Sequence, residues 1–140
     1  MKRINPHFSN GGRARSFHSG YRAEDLVARV LETAGYTIVA RRVRTRYGEL
    51  DLVAQRHASL HLIEVKQRTP SGFAPPEDAF TVRKRERLVR TAGAYLEQVG
   101  WTGPYQLDGM LLIESALPQL VAYPALALDG VDADLRSAAP

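Results

Sequence analysis

The stretch ELDLVAQRHASLHLIEVK, residues 49–66, decides the fold of this chain. Acidic and apolar residues alternate over 49–54, and apolar residues dominate 60–66, so the pattern predicts two strands. The polar segment 56–59 between them is short enough to be a hairpin loop. In such a hairpin Gln55 pairs with Leu60, and this register decides which side chains face each other along the two strands.

The predicted register sets two carboxylates against each other. Asp51 lies opposite Glu64, and Glu49 lies opposite Lys66 one step further along. Because side chains alternate along a strand, we expect all of them on one face. Carboxylates whose Cβ atoms are about 5 Å apart repel each other, and a cation between them relieves the repulsion. The alternative is a solvent-facing sheet with an ordinary Glu49–Lys66 ion pair.

Oxygen ligands without cysteine or a nearby histidine favour a hard ion, Mg²⁺ or Mn²⁺. We therefore predict that Asp51 and Glu64 are metal ligands. Lys66 follows on the same face, where its ammonium can offset negative charge on a phosphate or orient the attacking water. Glu24, beside the apolar stripe of a predicted helix, is available as a third carboxylate. The candidate catalytic residues are Glu24, Asp51, Glu64 and Lys66.

The rest of the chain predicts an α/β fold, a mixed β-sheet flanked by α-helices. Apolar residues at helical spacing predict a helix over 20–34, and β-branched residues predict a strand over 36–46. Prolines and glycine make 69–80 a loop, after which Thr81 caps a helix that runs to about Val99. Strands follow at 105–113 and 119–128. The predicted domain covers 19–128, between a flexible basic arm over 1–18 and a flexible tail over 129–140.

Composition excludes several protein classes. The chain has 140 residues and no cysteine, which excludes disulfide frameworks, zinc knuckles, iron–sulfur clusters and cysteine nucleophiles. It has no run of about 20 apolar residues for a membrane-spanning helix. The basic N-terminus lacks the apolar stretch of a secretory signal. We therefore expect a cytoplasmic protein without a membrane partner.

The positive charge is clustered, although the net charge is only +4. Lys84 lies with two arginines in the first turn of the second predicted helix, where cations oppose the helix dipole unless they meet an anion. Clustered arginines supply phosphate affinity, so we predict nucleic acid, with DNA preferred, as the partner. A solvated basic face is the alternative. The candidate nucleic-acid contacts are Arg44, Arg46, Arg68, Arg83, Lys84 and Arg85.

Asp51, then Glu64-Val65-Lys66, with Glu24 upstream, resembles the PD-(D/E)xK pattern of the restriction-endonuclease-like fold. Over roughly 20–128 the chain resembles more closely the YraN-like family of small bacterial proteins with that fold. The resemblance implies a fold related to Holliday-junction resolvases and a metal-dependent nuclease or nucleic-acid-binding role. The matching residues are Gly20, Glu24, Gly35-Tyr36, Arg44, Gly48-Glu49-Leu50-Asp51-Leu52, Glu64-Val65-Lys66, Arg68, Gly72, Thr81, Lys84, Ala92, Tyr95-Leu96 and Asp108.

The chain departs from that family pattern at two places. Arg42 stands where the family usually has asparagine, and Gln106-Leu107-Asp108 stands where it usually has Arg-Phe-Asp. Neither change falls on the expected metal ligands, but the second removes an arginine that can pair with an acid or a phosphate. We interpret Asp108 as a buried structural acid with a partner, and the four histidines as incidental.

These observations favour a magnesium-dependent endonuclease that hydrolyses phosphodiester bonds of DNA, branched DNA included. Two alternatives stay open: a non-catalytic nucleic-acid-binding module of the same fold, and a protein-interaction domain whose acidic cluster is structural. The sequence leaves both a monomer and a homodimer open.

Overall fold

The computed structural model describes residues 2–4, 21–69 and 79–124, and within them it forms one mixed sheet. The strands lie in the order β1-β6-β5-β4-β3-β2; β4 and β5 are parallel, and every other neighbouring pair is antiparallel. The predicted mixed sheet is therefore confirmed. The elements are β1 (Lys2–Ile4), α1 (Tyr21–Thr33), β2 (Thr37–Thr45), β3 (Gly48–Arg56), β4 (Ser59–Arg68), α2 (Val82–Val99), β5 (Tyr105–Ile113) and β6 (Gln119–Tyr123).

A hydrophobic layer on each face of the sheet packs against one helix. Helix α1 buries Leu26, Val27 and Leu31 against side chains that include Leu52 and Ile63. Helix α2 packs on the other face, where its buried residues meet side chains of β3, β4 and β5. The predicted apolar stripes match the buried faces of both helices, but their last members, Ala34 just beyond α1 and Val99 at the end of α2, are exposed. The molecule is thus a three-layer α/β/α arrangement of the predicted class.

Helix α2 links the two parallel strands, which need a crossover connection and cannot be joined by a tight turn. As predicted, Thr81 caps its start: the Thr81 hydroxyl accepts a hydrogen bond from the Lys84 backbone N–H at 3.4 Å. Gly100 ends it in the left-handed conformation, with φ of 69°. In that conformation a residue with a Cβ is disfavoured, which is why glycine is common after helices.

The β3–β4 hairpin has the predicted register. Gln55 pairs with Leu60, and the ladder continues to Leu52 and Ile63. The loop is shorter than predicted, because Arg56 and Ser59 also pair and only residues 57–58 form the turn. Extending both strands by one residue leaves the register unchanged.

The predicted arm over 1–18 needs a correction at its beginning. Lys2–Ile4 form strand β1 and pair with β6, from Lys2 opposite Ala122 to Ile4 opposite Leu120. A short edge strand of this kind is joined through backbone hydrogen bonds, so it needs no apolar periodicity in its own sequence. The remainder of the predicted arm, the predicted loop over 70–78 with Gly72, and the predicted tail over 129–140 lie outside the described residues.

The last predicted strand, 119–128, is observed as β6 over Gln119–Tyr123 with Pro124 after it, and residues 125–128 lie outside the described residues. Proline lacks the N–H that a ladder needs, which explains the end of pairing there. Within the described ranges, neither helix combines the length and the apolar character needed to cross a membrane.

Candidate functional site

The sheet has a kink at Asp51. Leu50 packs on the α2 face and Leu52 on the α1 face, although residues two apart in a regular strand share one face. Opposite Asp51 on β2, Arg42 has φ of 50°, in the left-handed region that is uncommon for residues other than glycine. The regular alternation expected along β3 is therefore broken between Leu50 and Leu52, next to Asp51.

The side chain of Asp51 takes part in the junction between β3 and β4. The ladder between the two strands ends at the pair Leu52 and Ile63. One step beyond, Asp51 Oδ2 accepts a hydrogen bond of 2.7 Å from the Val65 backbone N–H. A carboxylate thus serves as the acceptor just past the end of the ladder, and this bond holds Asp51 beside Glu64.

The two carboxylates that the register predicted to meet interact strongly. The pKa of Asp51 is raised from its ordinary 3.8 to about 6, by burial first and by the neighbouring charge of Glu64 second. The hydrogen bond from Val65 acts in the opposite direction, because it stabilises the ionised form. Glu64 itself is only 8% exposed. A cation between the two groups would relieve their repulsion.

Lys66 extends this pair toward solvent. Its Nζ lies 3.2 Å from Glu64 Oε1, and its side chain is 35% exposed against 11% for Glu64. Residues two apart on one strand share a face, so the contact follows directly from the regular conformation of β4 here. Lys66 therefore forms its ion pair with Glu64 on the same strand. This differs from the alternative interpretation of the sequence, in which Lys66 pairs across the strands with Glu49.

Glu24 reaches the site from the first turn of α1. Its Oε2 accepts a hydrogen bond of 3.1 Å from Arg42 Nε. Burial raises the pKa of Glu24, the contact with Arg42 opposes that rise, and the negative charge of Asp51 adds to it. The site is thus a chain of charged neighbours in the order Arg42, Glu24, Asp51, Glu64 and Lys66.

This donor set fits a hard divalent ion held by two carboxylates. In the part of the chain that the structure describes, no three acidic or histidine side chains surround a common point. The carboxylates instead meet in two pairs that share Asp51, one with Glu64 and one with Glu24. Only oxygen donors are present, and Mg²⁺ is commonly bound through one or two carboxylates while it keeps several waters. Asp51 and Glu64 are the residues that would hold such an ion.

Two of the predicted nucleic-acid contacts line a shallow groove. Arg44 and Arg46 lie with Thr45 at the end of β2, across from Glu97 on α2, and the groove measures about 550 Å³. Both arginines are exposed. The guanidinium of Arg46 also lies 4.7 Å from the ring centroid of the neighbouring Tyr47. This groove is a basic surface beside the beginning of β3.

The other predicted contacts lie elsewhere. Arg68 ends β4, and its backbone carbonyl accepts a hydrogen bond of 2.8 Å from Glu114. The basic run 83–85 lies in the first turn of α2, with Arg83 exposed and the next two residues half-buried. That turn follows closely after Phe80, whose ring packs on Gly109, the β5 partner of Glu64. The structure therefore sets Arg44 and Arg46 near one end of α2 and the run 83–85 at the other end, instead of collecting them in one patch.

Asp108, His61 and Gln106 form a polar network on β4 and β5, of which the sequence predicted only the buried acid. Asp108 is a partly buried acid with partners, as predicted: His61 Nδ1 lies 2.8 Å from one carboxylate oxygen, and Gln106 Nε2 donates to the other at 2.6 Å. His61 is therefore not incidental. The register between β4 and β5 sets His61 opposite Gln106, and this parallel pairing was the signal that the sequence alone did not supply.

Comparison with known proteins gives a consistent result. The sequence model of the Uncharacterised protein family UPF0102 matches residues 23–113. A UPF0102 protein of Herpetosiphon aurantiacus is 32% identical over 112 residues, which cover 76% of this chain and 90% of that protein. One from Nocardia farcinica is 45% identical over 87 residues, covering 62% and 67% of the two chains. One from Rhodopseudomonas palustris is 38% identical over 116 residues, covering 81% and 84%.

The matched residues 23–113 contain the whole site, from Glu24 to Lys66, and both parallel strands. The resemblance to the YraN-like proteins is confirmed, since the curated relatives carry the same family name over most of their length. The chain belongs to the UPF0102 family.

Proposed function

We propose that this protein is a metal-dependent phosphodiesterase that binds nucleic acid, with DNA as its substrate. The observation that carries the proposal is the arrangement of Asp51, Glu64 and Lys66. A half-buried and a buried carboxylate are held side by side, so that the pKa of Asp51 rises to about 6, and an ammonium lies 3.2 Å from Glu64. Two acids of this kind can bind a divalent cation, and the lysine beside them can bind a phosphate next to that cation.

Each residue of the site has a separate role in this proposal. Asp51 and Glu64 would hold Mg²⁺ or Mn²⁺, which supplies positive charge to the phosphate and makes a bound water more acidic. The Val65 N–H keeps Asp51 in place. The ammonium of Lys66 offsets the negative charge that develops on the phosphate during in-line attack by water. Glu24 contacts Asp51 from α1 and supports its position.

The basic residues at the two ends of α2 supply phosphate contacts on the flanking strand. Contacts of this kind position nucleic acid and carry no sequence information of their own. The first turn of α2 starts next to Phe80 and Gly109, close to Glu64, and so suits the phosphates nearest the site. The proposal includes a preference for branched DNA, action as a homodimer and a cytoplasmic location.

Cleavage of a panel of linear, flapped and four-way DNA, with and without Mg²⁺ or Mn²⁺, tests the proposal. We expect metal-dependent cleavage by the natural protein, and at least a hundredfold loss with Asp51→Asn or Lys66→Ala, by analogy with the cost of removing one group that stabilises transition-state charge. Glu49→Gln is the matched control, since it removes an exposed carboxylate of the same strand. Cleavage that survives Asp51→Asn, or its absence on every substrate, would contradict the proposal.

A non-catalytic nucleic-acid-binding module is the second candidate. The observation that favours it is that the acids at both ends of the charged chain already have basic partners, Arg42 for Glu24 and Lys66 for Glu64. In that case DNA binding does not depend on the divalent ion, and Lys66→Ala weakens binding without any change in the DNA strands. Filter binding and gel analysis on the same samples separate the two functions.

A further inference from the structure

Two ion pairs join α1 to β2, and they involve consecutive residues on both elements. Arg41 NH1 lies 2.7 Å from Asp25 Oδ1, and Arg42 Nε lies 3.1 Å from Glu24 Oε2. The two arginine side chains are similarly exposed, at 44% and 48%. The acids differ: the side chain of Asp25 is 40% exposed, whereas that of Glu24 is 15% exposed. The pairs are alike in chemistry but not in surroundings.

The conformation of Arg42 makes the second pair possible. Consecutive residues of a regular strand point to opposite faces of the sheet. Arg41 and Arg42 nevertheless reach the same helix, and the φ of 50° at Arg42 is the break in alternation that allows it. A left-handed conformation at a residue with a side chain carries an energetic cost. The chain thus accepts strain at the position opposite Asp51.

Glu24 connects Arg42 to the candidate site. It contacts Asp51 on one side and Arg42 on the other. A guanidinium at this distance neutralises the charge of Glu24, and the low exposure of Glu24 reduces screening by water. The pair with Arg42 occupies Oε2 and offsets the negative charge of Glu24, so this carboxylate attracts an approaching cation less strongly.

We propose that Arg42 is a positioning residue that holds Glu24 out of the metal coordination sphere, so that Asp51 and Glu64 alone bind the divalent cation. The inference rests on the proposed function, since it concerns the same metal site. Removal of Arg42 takes away one positive charge beside the site and releases a third carboxylate. Both changes strengthen cation binding. Arg42 therefore sets the metal affinity of this site without touching the ion.

Calorimetric titration of the full chain with Mn²⁺ alone, without DNA, tests the proposal. Arg42→Asn is the informative variant, because asparagine tolerates the left-handed conformation. We expect it to bind Mn²⁺ about tenfold more tightly than the natural chain, mostly because Glu24 is released as a third carboxylate, the lost charge alone accounting for no more than about threefold. The matched control is Arg41→Asn, which loses the same charge and an equivalent ion pair to the same helix, and whose affinity should change less than about twofold.

The same titration in a Glu24→Gln background completes a double-mutant cycle. If Arg42 acts by holding Glu24, then Arg42→Asn changes the affinity by no more than about threefold when Glu24 is already glutamine. Equal effects in both backgrounds, or no gain from Arg42→Asn in a natural chain that does bind Mn²⁺, would overturn the inference and leave the proposed function intact. Loss of all binding in Glu24→Gln would overturn it as well, by making Glu24 a ligand.

The absence of Mn²⁺ binding in the natural chain and in every variant would remove the metal site itself, and with it both proposals. Thermal melts of each variant without metal accompany the titrations. Arg41→Asn and Arg42→Asn each lose one ion pair between α1 and β2, so their melting temperatures should fall by similar small amounts. A variant that melts far below its matched control is replaced by Arg42→Gln and Arg41→Gln, and the same outcomes apply.

Discussion

At the scale of single residues, the ionisation of Asp51 links the site to the stability of the fold. Its pKa is about 6 in the folded protein, above the ordinary 3.8 that we assign to the unfolded chain. The folded state therefore holds this proton more tightly than the unfolded state does. Protonation of Asp51 therefore favours the folded state; this contribution to stability is complete below about pH 4 and is lost as the pH rises through about 6. Across that window, the free energy of unfolding falls as the pH rises, because the folded protein has to ionise Asp51.

The first prediction follows from this sign. Between pH 4 and 7, Asp51→Asn should lose stability less steeply than the natural chain, because an amide cannot ionise. After allowance for partial exposure, the difference is about 1–2 kcal/mol across the window. Urea unfolding at several pH values measures it, with Glu49→Gln as the control for removing an exposed acid. Parallel pH profiles for the natural chain and Asp51→Asn would refute the assignment.

The second prediction concerns metal and the same residue. Binding of Mn²⁺ to the folded state alone should raise the melting temperature of the natural chain, by mass action. Without metal, Asp51→Asn should be as stable near pH 7 as the natural chain or slightly more so, because one buried charge and its repulsion by Glu64 are gone.

The response to Mn²⁺ should disappear in Asp51→Asn and persist in Lys66→Ala, whose ammonium acts on phosphate and not on the ion. Thermal melts of the three proteins with and without Mn²⁺ check this. An equal rise in melting temperature for Asp51→Asn would place the ion elsewhere.

The sequence predicts those features of the site that follow from local pattern, and not those that depend on contacts between distant elements. The pairing of Asp51 with Glu64 was predictable, because hairpin register follows from a short polar turn between two apolar runs. The kink was not, since a positive φ at Arg42 depends on contacts with α1 that no local pattern encodes. The position of Lys66 on the same face as Glu64 was predicted, whereas its choice between Glu64 and Glu49 as ion-pair partner was left open.

At the scale of elements, the parallel pairing of β4 with β5 brings distant residues under the site. Gly109 is the partner of Glu64 in the register, and a Cβ at this position would lie 2.7 Å from the ring of Phe80. The approach of an aromatic ring thus requires glycine here. Because Phe80 directly precedes the cap of α2, this contact couples the position of the basic first turn to the strand that bears Glu64.

The third prediction tests that packing. Gly109→Ala should lower the free energy of unfolding by about 2 kcal/mol or more, because either the ring or the strand has to shift. Gly93→Ala is the control, since its Cβ would meet nothing within 4 Å in the middle of α2. There alanine should raise the free energy of unfolding by about 0.5–1 kcal/mol, from helix propensity. Urea unfolding compares the two, and equal effects would show that the contact with Phe80 is unimportant.

At the scale of the whole molecule, the layer order was predictable and the sheet edges were not. The two helical stripes and the apolar strands each indicate which face is buried, and the long connection through α2 indicates a crossover. Strand β1 was missed because Lys2–Ile4 carry no pattern and join β6 through the backbone. The basic residues were identified by type, but their division between the two ends of α2 depends on how that helix crosses the sheet.

The fourth prediction uses this division to locate the nucleic-acid surface. The logarithm of DNA affinity should fall linearly with the logarithm of salt concentration, with a slope of roughly 0.9 for each phosphate neutralised. Replacement of Arg83, Lys84 and Arg85 by alanine should reduce the slope by about 2–3, and replacement of Arg44 and Arg46 by about 1–2, if both ends of α2 contact phosphates. Arg29→Ala is the control, an exposed arginine on α1 across the sheet. A reduction from only one set assigns binding to that end of α2. An unchanged slope in both sets, with intact affinity, would move the interface off this face altogether.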